Sequence, residues 1–255
     1  MGKKGGSTGL KRGPAPRFWP IKRKEFVWVV KPSAGPHPLR ECLPLAVVLR
    51  DILGFAKTRK ESKAIVSQGK VQVNGRIIRD DIFPIGLMDV LSLPDIGKHF
   101  RVLPSPKGLV LNPIAKEEAD FKLCRIENKK ILDHGHVQVN LHDGSNSLVK
   151  VADPKNPQEG VYETLGTLKL SLPDMQVLEH LKIKEKSYAI ITKGKNVGRH
   201  GRILEIEKAE GKKRKNALVT IEDERGGRYQ TILDFVMVVG EEKPLISMPE
   251  ATQVV

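Results

Sequence analysis

The sequence predicts a multi-domain α+β protein: an extended basic N-terminal tail, a small domain of two helices and a hairpin, a central β-rich domain and a small C-terminal β-barrel. Three observations lead there. Helical spacing of apolar residues occurs mainly between residues 44 and 69. Beyond residue 70, short alternating runs separated by Gly, Pro and Asn-Gly or Asp-Gly turns predominate. The first forty residues hold ten basic residues against the single acid Glu25.

Residues 1–40 form the first part. Glycine and proline punctuate them, so alone in water the segment cannot bury enough apolar surface to offset chain entropy and is expected to stay extended or disordered. Lys3, Lys4, Lys11, Arg12, Arg17 and Arg23 are its candidate phosphate contacts. Phe18, Trp19, Phe26 and Trp28 interleave with them, which points to stacking on bases or packing on the body; Trp19 is taken as the stacking residue.

Residues 41–95 form the second. Pro44 suits a first helical turn, Leu45, Val48, Leu49, Ile52 and Leu53 follow at helical spacing, and Gly54 stops the helix. Thr58 with Glu61 reads as a capping box opening a second helix that ends by Gly69. Val71–Val73, the Asn74-Gly75 turn, Arg76–Ile78 and Asp89–Leu93 supply strands. Lys57, Arg59, Lys60 and Lys63 gather at the start of the second helix, with Lys70, Arg76 and Arg79 beside it, and Glu61 is the only nearby acid in sequence. A helix N-terminus favours anions, so this cluster is the leading phosphate-binding face.

Residues 96–174 read as β-rich, with strands near 100–103, 109–111, 137–141, 148–151 and 168–172 and a helix over 116–125. Residues 175–242 give five evenly spaced β runs, the pattern of a small barrel. Residues 243–255 form a C-terminal extension without a pattern. Between the first two barrel runs lies the stretch from Lys193 to Ile203, with Gly194, Gly198 and Gly201. Such a turn can aim backbone N–H groups at phosphates with Lys195, Asn196, Arg199, His200 and Arg202 alongside, or be an ordinary glycine-rich turn.

Other chemistries find little support. A net charge of +14 and a pI near 9.7 call for a polyanionic partner, and nucleic acid is the usual one. A membrane surface would require a basic amphipathic helix opposite large apolar residues, and a span would require about 18 apolar residues in a row; the sequence has neither. The N-terminus lacks the apolar core of a secretory signal, so a cytoplasmic location is expected. Cys42 and Cys124 read as reduced thiols, and His134 and His136 as turn residues. No metal or cofactor is expected. The glycines do not form a nucleotide-binding loop, since no Gly-Lys-Ser/Thr ending or following helix is present. Asp80, Asp81 and Asp89 read as turn caps.

The stretch LRDILGFAKTRKESKAIVSQGKVQVNGRIIRD resembles the S-four RNA-binding domain, whose two-helix face and adjoining hairpin hold folded RNA. The glycine stretch at 193–203 resembles the KOW motif of SH3-like barrels, with Lys193 where family members often have a second glycine. RGPAPRFWPI, KPSAGPHPLRECLPL, FPIGLMDVLSLP, FKLCRIENK, NLHDGSN and KPLISMPE together resemble the S-four-e family of small-subunit ribosomal proteins, and the opening residues favour its archaeal branch. That resemblance implies an RNA-binding structural subunit with no catalysis, partnered by small-subunit ribosomal RNA and neighbouring ribosomal proteins, with no membrane and no homo-oligomer. An RNA-modifying enzyme would need a further catalytic constellation, which the sequence lacks. A transcription or assembly factor borrowing the KOW barrel accounts poorly for the long basic tail, which left free would bind polyanions promiscuously.

Overall fold

In the computed structural model, residues 9–150, 162–207 and 214–249 are described. The segment ahead of residue 40 is ordered against the body, which corrects the expectation of an extended or disordered tail for its described part. β1 (Leu10–Lys11) and β2 (Trp28–Val29) pair antiparallel. Leu10, Ala15 and Trp19 enter the same core as Leu45, Leu49, Val66 and Leu91. The Trp19 indole N–H donates to the Cys42 carbonyl at 2.8 Å, so the ring is buried with its polar edge satisfied. Burial of these side chains offsets the ordering entropy that composition alone made prohibitive.

β3 (Cys42–Pro44) leads into α1 (Leu45–Val47), which continues as a π-helical turn over Val48–Ile52. α2 (Arg59–Ser67) follows, and Gly69 at φ +76° lets the chain leave it. β4 (Gln72–Val73) and β5 (Arg76–Ile77) form the expected hairpin, with Asn74 and Gly75 both at positive φ as a two-residue turn of this hand requires. β6 (Pro84–Gly86) pairs with β3, and β7 (Val90–Leu93), β8 (Lys98–Ser105) and β9 (Gly108–Ile114) complete a sheet ordered β5-β4-β7-β8-β9. The expected boundary at residue 95 therefore falls inside a sheet. A turn at Pro94–Ile96 returns the chain antiparallel to β7, so the pair that looked like the start of the next domain extends the first.

The helix expected over 116–125 is replaced by a short 3-10 turn at Glu117–Asp120 and then β10 (Phe121–Ile131). β10 is central, flanked by β11 (Val137–Leu141) and β13 (Thr167–Ser171), with β12 (Asn146–Val149) and β14 (Val177–Leu181) at the edges. Its period is two: Leu123 joins one core, while Cys124 and Ile126 join another. A strand buried on both faces gives a nearly continuous buried run, which sequence periodicity does not separate from a helix. β14 pairs with β13, so this sheet extends past the expected boundary at residue 174.

β15 (Tyr188–Ile191), β16 (His200–Glu207), β17 (Leu218–Glu222), β18 (Arg228–Ile232) and β19 (Val236–Gly240) form an antiparallel sheet ordered β18-β17-β16-β15-β19. Its core takes in Leu103 of β8, Leu123 of β10 and Met88 from the turn before β7. A buried ionic cluster joins the units elsewhere. Lys122 Nζ lies 2.7 Å from both Asp89 and Asp143, and Asp89 also accepts from Asn74, at 2.9 Å, and lies 2.9 Å from His37 Nε2. Asp80 accepts from the Ile82 N–H and Asp89 from the Gly86 N–H, so both cap turns, and Asp89 is also the hub of the cluster. Cys42 and Cys124 are buried free thiols, and burial followed by the nearby Asp89 charge pushes Cys42 up to about 12. Among the described residues no helix is long and apolar enough to cross a membrane.

Candidate nucleic-acid interface

The α2 cluster is built on a helix start that the sequence specifies twice. The Thr58 hydroxyl accepts from the Glu61 N–H at 3.2 Å, and the Glu61 carboxylate accepts from the Lys57 N–H at 2.8 Å. The bond from Lys57 leads the causes that hold the Glu61 carboxyl below the usual carboxylate range, so it stays ionised as a cap. The first turn thereby answers part of its own backbone demand, and the cationic side chains supply the attraction for anions.

Around this start Lys57, Lys60 and Lys63 are exposed and make no ion pair among the described residues. Arg59 is also exposed, but its guanidinium donates to the nearly buried Asp81 carboxylate at 3.0 Å, and Lys70 lies 3.8 Å from Asp95. The reading that Glu61 alone offsets the cluster is thus corrected: folding brings Asp81 and Asp95 beside it. Arg79 is exposed, and exposed Arg76 reaches across to the Pro173 carbonyl at 3.5 Å. Helix start and hairpin thus each present exposed cations.

In the N-terminal segment the predicted residues separate. Lys3 and Lys4 lie outside the described residues. Arg17 and Arg23 are exposed. Arg12 is turned to a structural task, donating through Nε and Nη2 to the Ile21 carbonyl at 3.0 and 2.7 Å. Trp19 is 1% exposed and cannot stack on a base, which corrects its assignment as a contact residue. The exposed aromatics are Phe26 and Trp28, with Lys11 Nζ 5.7 Å from the Trp28 ring centre and Lys22, Arg23 and Lys24 adjoining in sequence. The sequence signal for them was KRKEFVW, where rings follow a run of cations; nothing in it told which ring would be buried.

The glycine-rich loop is partly occupied by contacts within the chain. Gly194 and Gly198 hold φ of +90° and +83°, and a Cβ on Gly198 would come within 3.0 Å of the Pro104 carbonyl at the end of β8. Gly201 faces the Glu222 carbonyl so closely that no side chain fits. Lys193 pairs with Glu41 at 2.6 Å, Arg199 stacks on Tyr229 at 5.0 Å, and Asn196 donates to the Gln230 carbonyl at 3.4 Å. His200 Nδ1 is 2.8 Å from the Tyr188 hydroxyl. Lys195 and Arg202 remain exposed, although Arg202 sits opposite Glu222. A cleft of about 580 Å³ opens where this loop meets the N-terminal segment and the β8–β9 turn, with Arg17, Arg40, Lys107 and Lys193 on it, of which the sequence singles out Arg17 alone as a phosphate contact.

Comparison with known proteins agrees with this layout. The family described as Ribosomal family S4e matches residues 96–177, the RS4NT domain residues 4–40 and the S4 domain residues 43–91. The chain is 51% identical over 251 residues to the small ribosomal subunit protein eS4 of Desulfurococcus amylolyticus, covering 98% of this chain and 99% of that one. It is 43% identical to the protein of the same name from Methanocaldococcus jannaschii, covering 97% and 100%. The crystal structure of the 30S ribosomal protein S4e from Thermoplasma acidophilum aligns with a TM-score of 0.63 at 28% identity, covering 79% of this chain and 96% of that one. With full-length relatives at this identity, the chain belongs to the ribosomal S4e family.

Proposed function

We propose that this chain is a non-enzymatic structural constituent of the small ribosomal subunit, located on cytoplasmic ribosomes, that binds ribosomal RNA by its shape and phosphates and supports subunit assembly and translation. The observation that carries this is the α2 start, where Lys57, Lys60 and Lys63 stand exposed and unpaired among the described residues on the domain matched by the S4 model. Cations presented from a fixed helix read backbone geometry and set register, while carrying little base information. Arg59, Lys70, Arg76 and Arg79 enlarge the face, and Lys11, Arg17 and Arg23 continue the positive surface in the N-terminal segment. In this reading residues 175–242 make a KOW-type SH3-like barrel. Its positive-φ glycines shape the loop, Lys195 and Arg202 touch RNA, and Asn196, Arg199 and His200 hold the loop in place. Neighbouring ribosomal proteins and ribosomal RNA are the partners, and the chain acts as a single copy without a membrane.

The test is binding of the full chain to protein-free small-subunit ribosomal RNA across a salt series, with Lys57, Lys60 and Lys63 all changed to Glu. All three side chains are exposed, so the fold should persist by circular dichroism. Binding should weaken by several kcal/mol, and the slope of log affinity against log salt should become shallower by roughly 0.7–0.9 for each phosphate no longer neutralised. Unchanged affinity and slope would remove α2 from the interface.

A further inference from the structure

The N-terminal hairpin carries a feature that a purely electrostatic reading leaves unused. Phe26 is 57% exposed, Val27 66% and Trp28 61%. Large rings left in water forgo burial energy, and this same segment buries Trp19 completely. Burial was therefore available close by in sequence, and these two rings lie outside it. Trp28 is also held. Its six-membered ring lies so close to Gly9 that a Cβ there would stand 2.8 Å from Cζ3. Lys11, its direct cross-strand partner, places its ammonium 5.7 Å from the ring centre. Strand pairing fixes the backbone at this point, and the Arg12 N–H donating to the Val27 carbonyl at 3.0 Å extends the pairing by one bond. The ring is thus pre-oriented on a glycine backbone instead of being free to collapse onto the surface.

The charge around these rings selects among occupants. Lys11, Lys22, Arg23 and Lys24 surround them in strand and sequence, and Glu25, the only acid of the segment, lies 3.8 Å from Lys22. An apolar protein partner would have to desolvate those cations or answer them with acids. Single-stranded RNA answers both features together: phosphates for the cations and flat bases for the rings. We infer that Phe26 and Trp28 form a stacking platform for unpaired ribosomal RNA bases, with Lys11, Lys22, Arg23 and Lys24 holding the adjoining phosphates. This rests on the RNA-binding reading and deepens it. The α2 face would take folded RNA by shape, and the hairpin would take extruded or single-stranded nucleotides by their π-faces.

The chain's two tryptophans allow a direct test. Trp19 is buried and Trp28 exposed, so the emission of the full chain minus that of Trp28→Phe isolates Trp28. On titration with protein-free small-subunit ribosomal RNA, the Trp28 emission should be quenched while the Trp19 emission stays constant. The double variant Phe26→Leu, Trp28→Leu keeps apolar bulk over Gly9 but removes both π-faces. It should lower affinity about tenfold or more with the salt slope unchanged, because stacking releases no counterions. Changing Lys22, Arg23 and Lys24 to Gln should instead make the slope shallower. If RNA binds with full affinity and leaves Trp28 emission unaltered, the platform does not exist. Quenching that appears only after other subunit proteins are added would place a neighbouring protein on the rings and also overturn the inference. Failure of the unaltered chain to bind RNA would overturn the underlying functional reading together with this one.

Discussion

At the scale of single residues, environment decides roles that identity leaves open. His142 has its Nδ1 accepting from the Arg125 N–H at 3.1 Å and its Nε2 donating to the Leu87 carbonyl at 3.2 Å, which requires a neutral ring. Burial first, and then the Lys122 charge, pushes its pKa down to about 4. In the unfolded chain a histidine titrates near 6.5. As pH falls from about 6.5 toward 4, the unfolded chain takes up a proton that the folded chain refuses, so stability should fall across that window and this contribution should level off below it. Urea midpoints measured from pH 7.5 to 4 should show the decline, and His142→Gln should flatten it; an identical decline in the variant would place its origin elsewhere. The same dependence on surroundings limits what the tail reveals in sequence. Lys57, Lys60 and Lys63 are legible as surface cations because long charged side chains are rarely buried. Trp19 and Trp28 are not separable, since a stretch without helical or alternating period gives no face to assign them to.

At the scale of elements, local signals are legible wherever one turn or one cap settles the geometry. The Thr58 cap, the Asn74-Gly75 turn and the five β runs after residue 187 have local causes. The 116–125 segment misleads for the opposite reason, because its residues from Phe121 to Arg125 become a strand by pairing with Thr167–Ser171 of β13, which lies far away in sequence. Its Lys122 shows what the pattern conceals: a lysine buried near the start of β10, bonded to carboxylates on two other segments. Burial by itself would raise the carboxyls of Asp89 and Asp143, yet Lys122 heads the opposing causes and both are held far below the usual carboxylate range. Removing the ammonium leaves two buried carboxylates without their cation. Lys122→Met should therefore destabilise the chain by about 3–5 kcal/mol in urea denaturation. A loss within about 0.5 kcal/mol would mean that water or a rearranged partner satisfies both acids, and that the cluster does not lock the sheets together.

At the scale of the whole molecule, three five-stranded antiparallel sheets and the N-terminal segment packed on them share cores and ionic links, so the positive surfaces are fixed relative to one another. Arg125 adds to this by reaching from β10 to the Asp234 and Val236 carbonyls beside β19. A chain of net charge +14 held in one rigid arrangement repels itself until polyanion neutralises it. Composition makes that much legible from the start. Which cations are taken up by contacts within the chain, as Arg12 is by Ile21 and Lys193 by Glu41, requires the folded structure. Fixed positive surfaces on one rigid body suit an integral, RNA-bound part of the small ribosomal subunit. That role is tested by sedimentation of a cell extract through a sucrose gradient in about half-molar salt, which strips weak electrostatic binders, with this chain followed by antibody. An integral component should stay with mature small subunits at one copy each; recovery only in light fractions or with precursor particles would contradict that role.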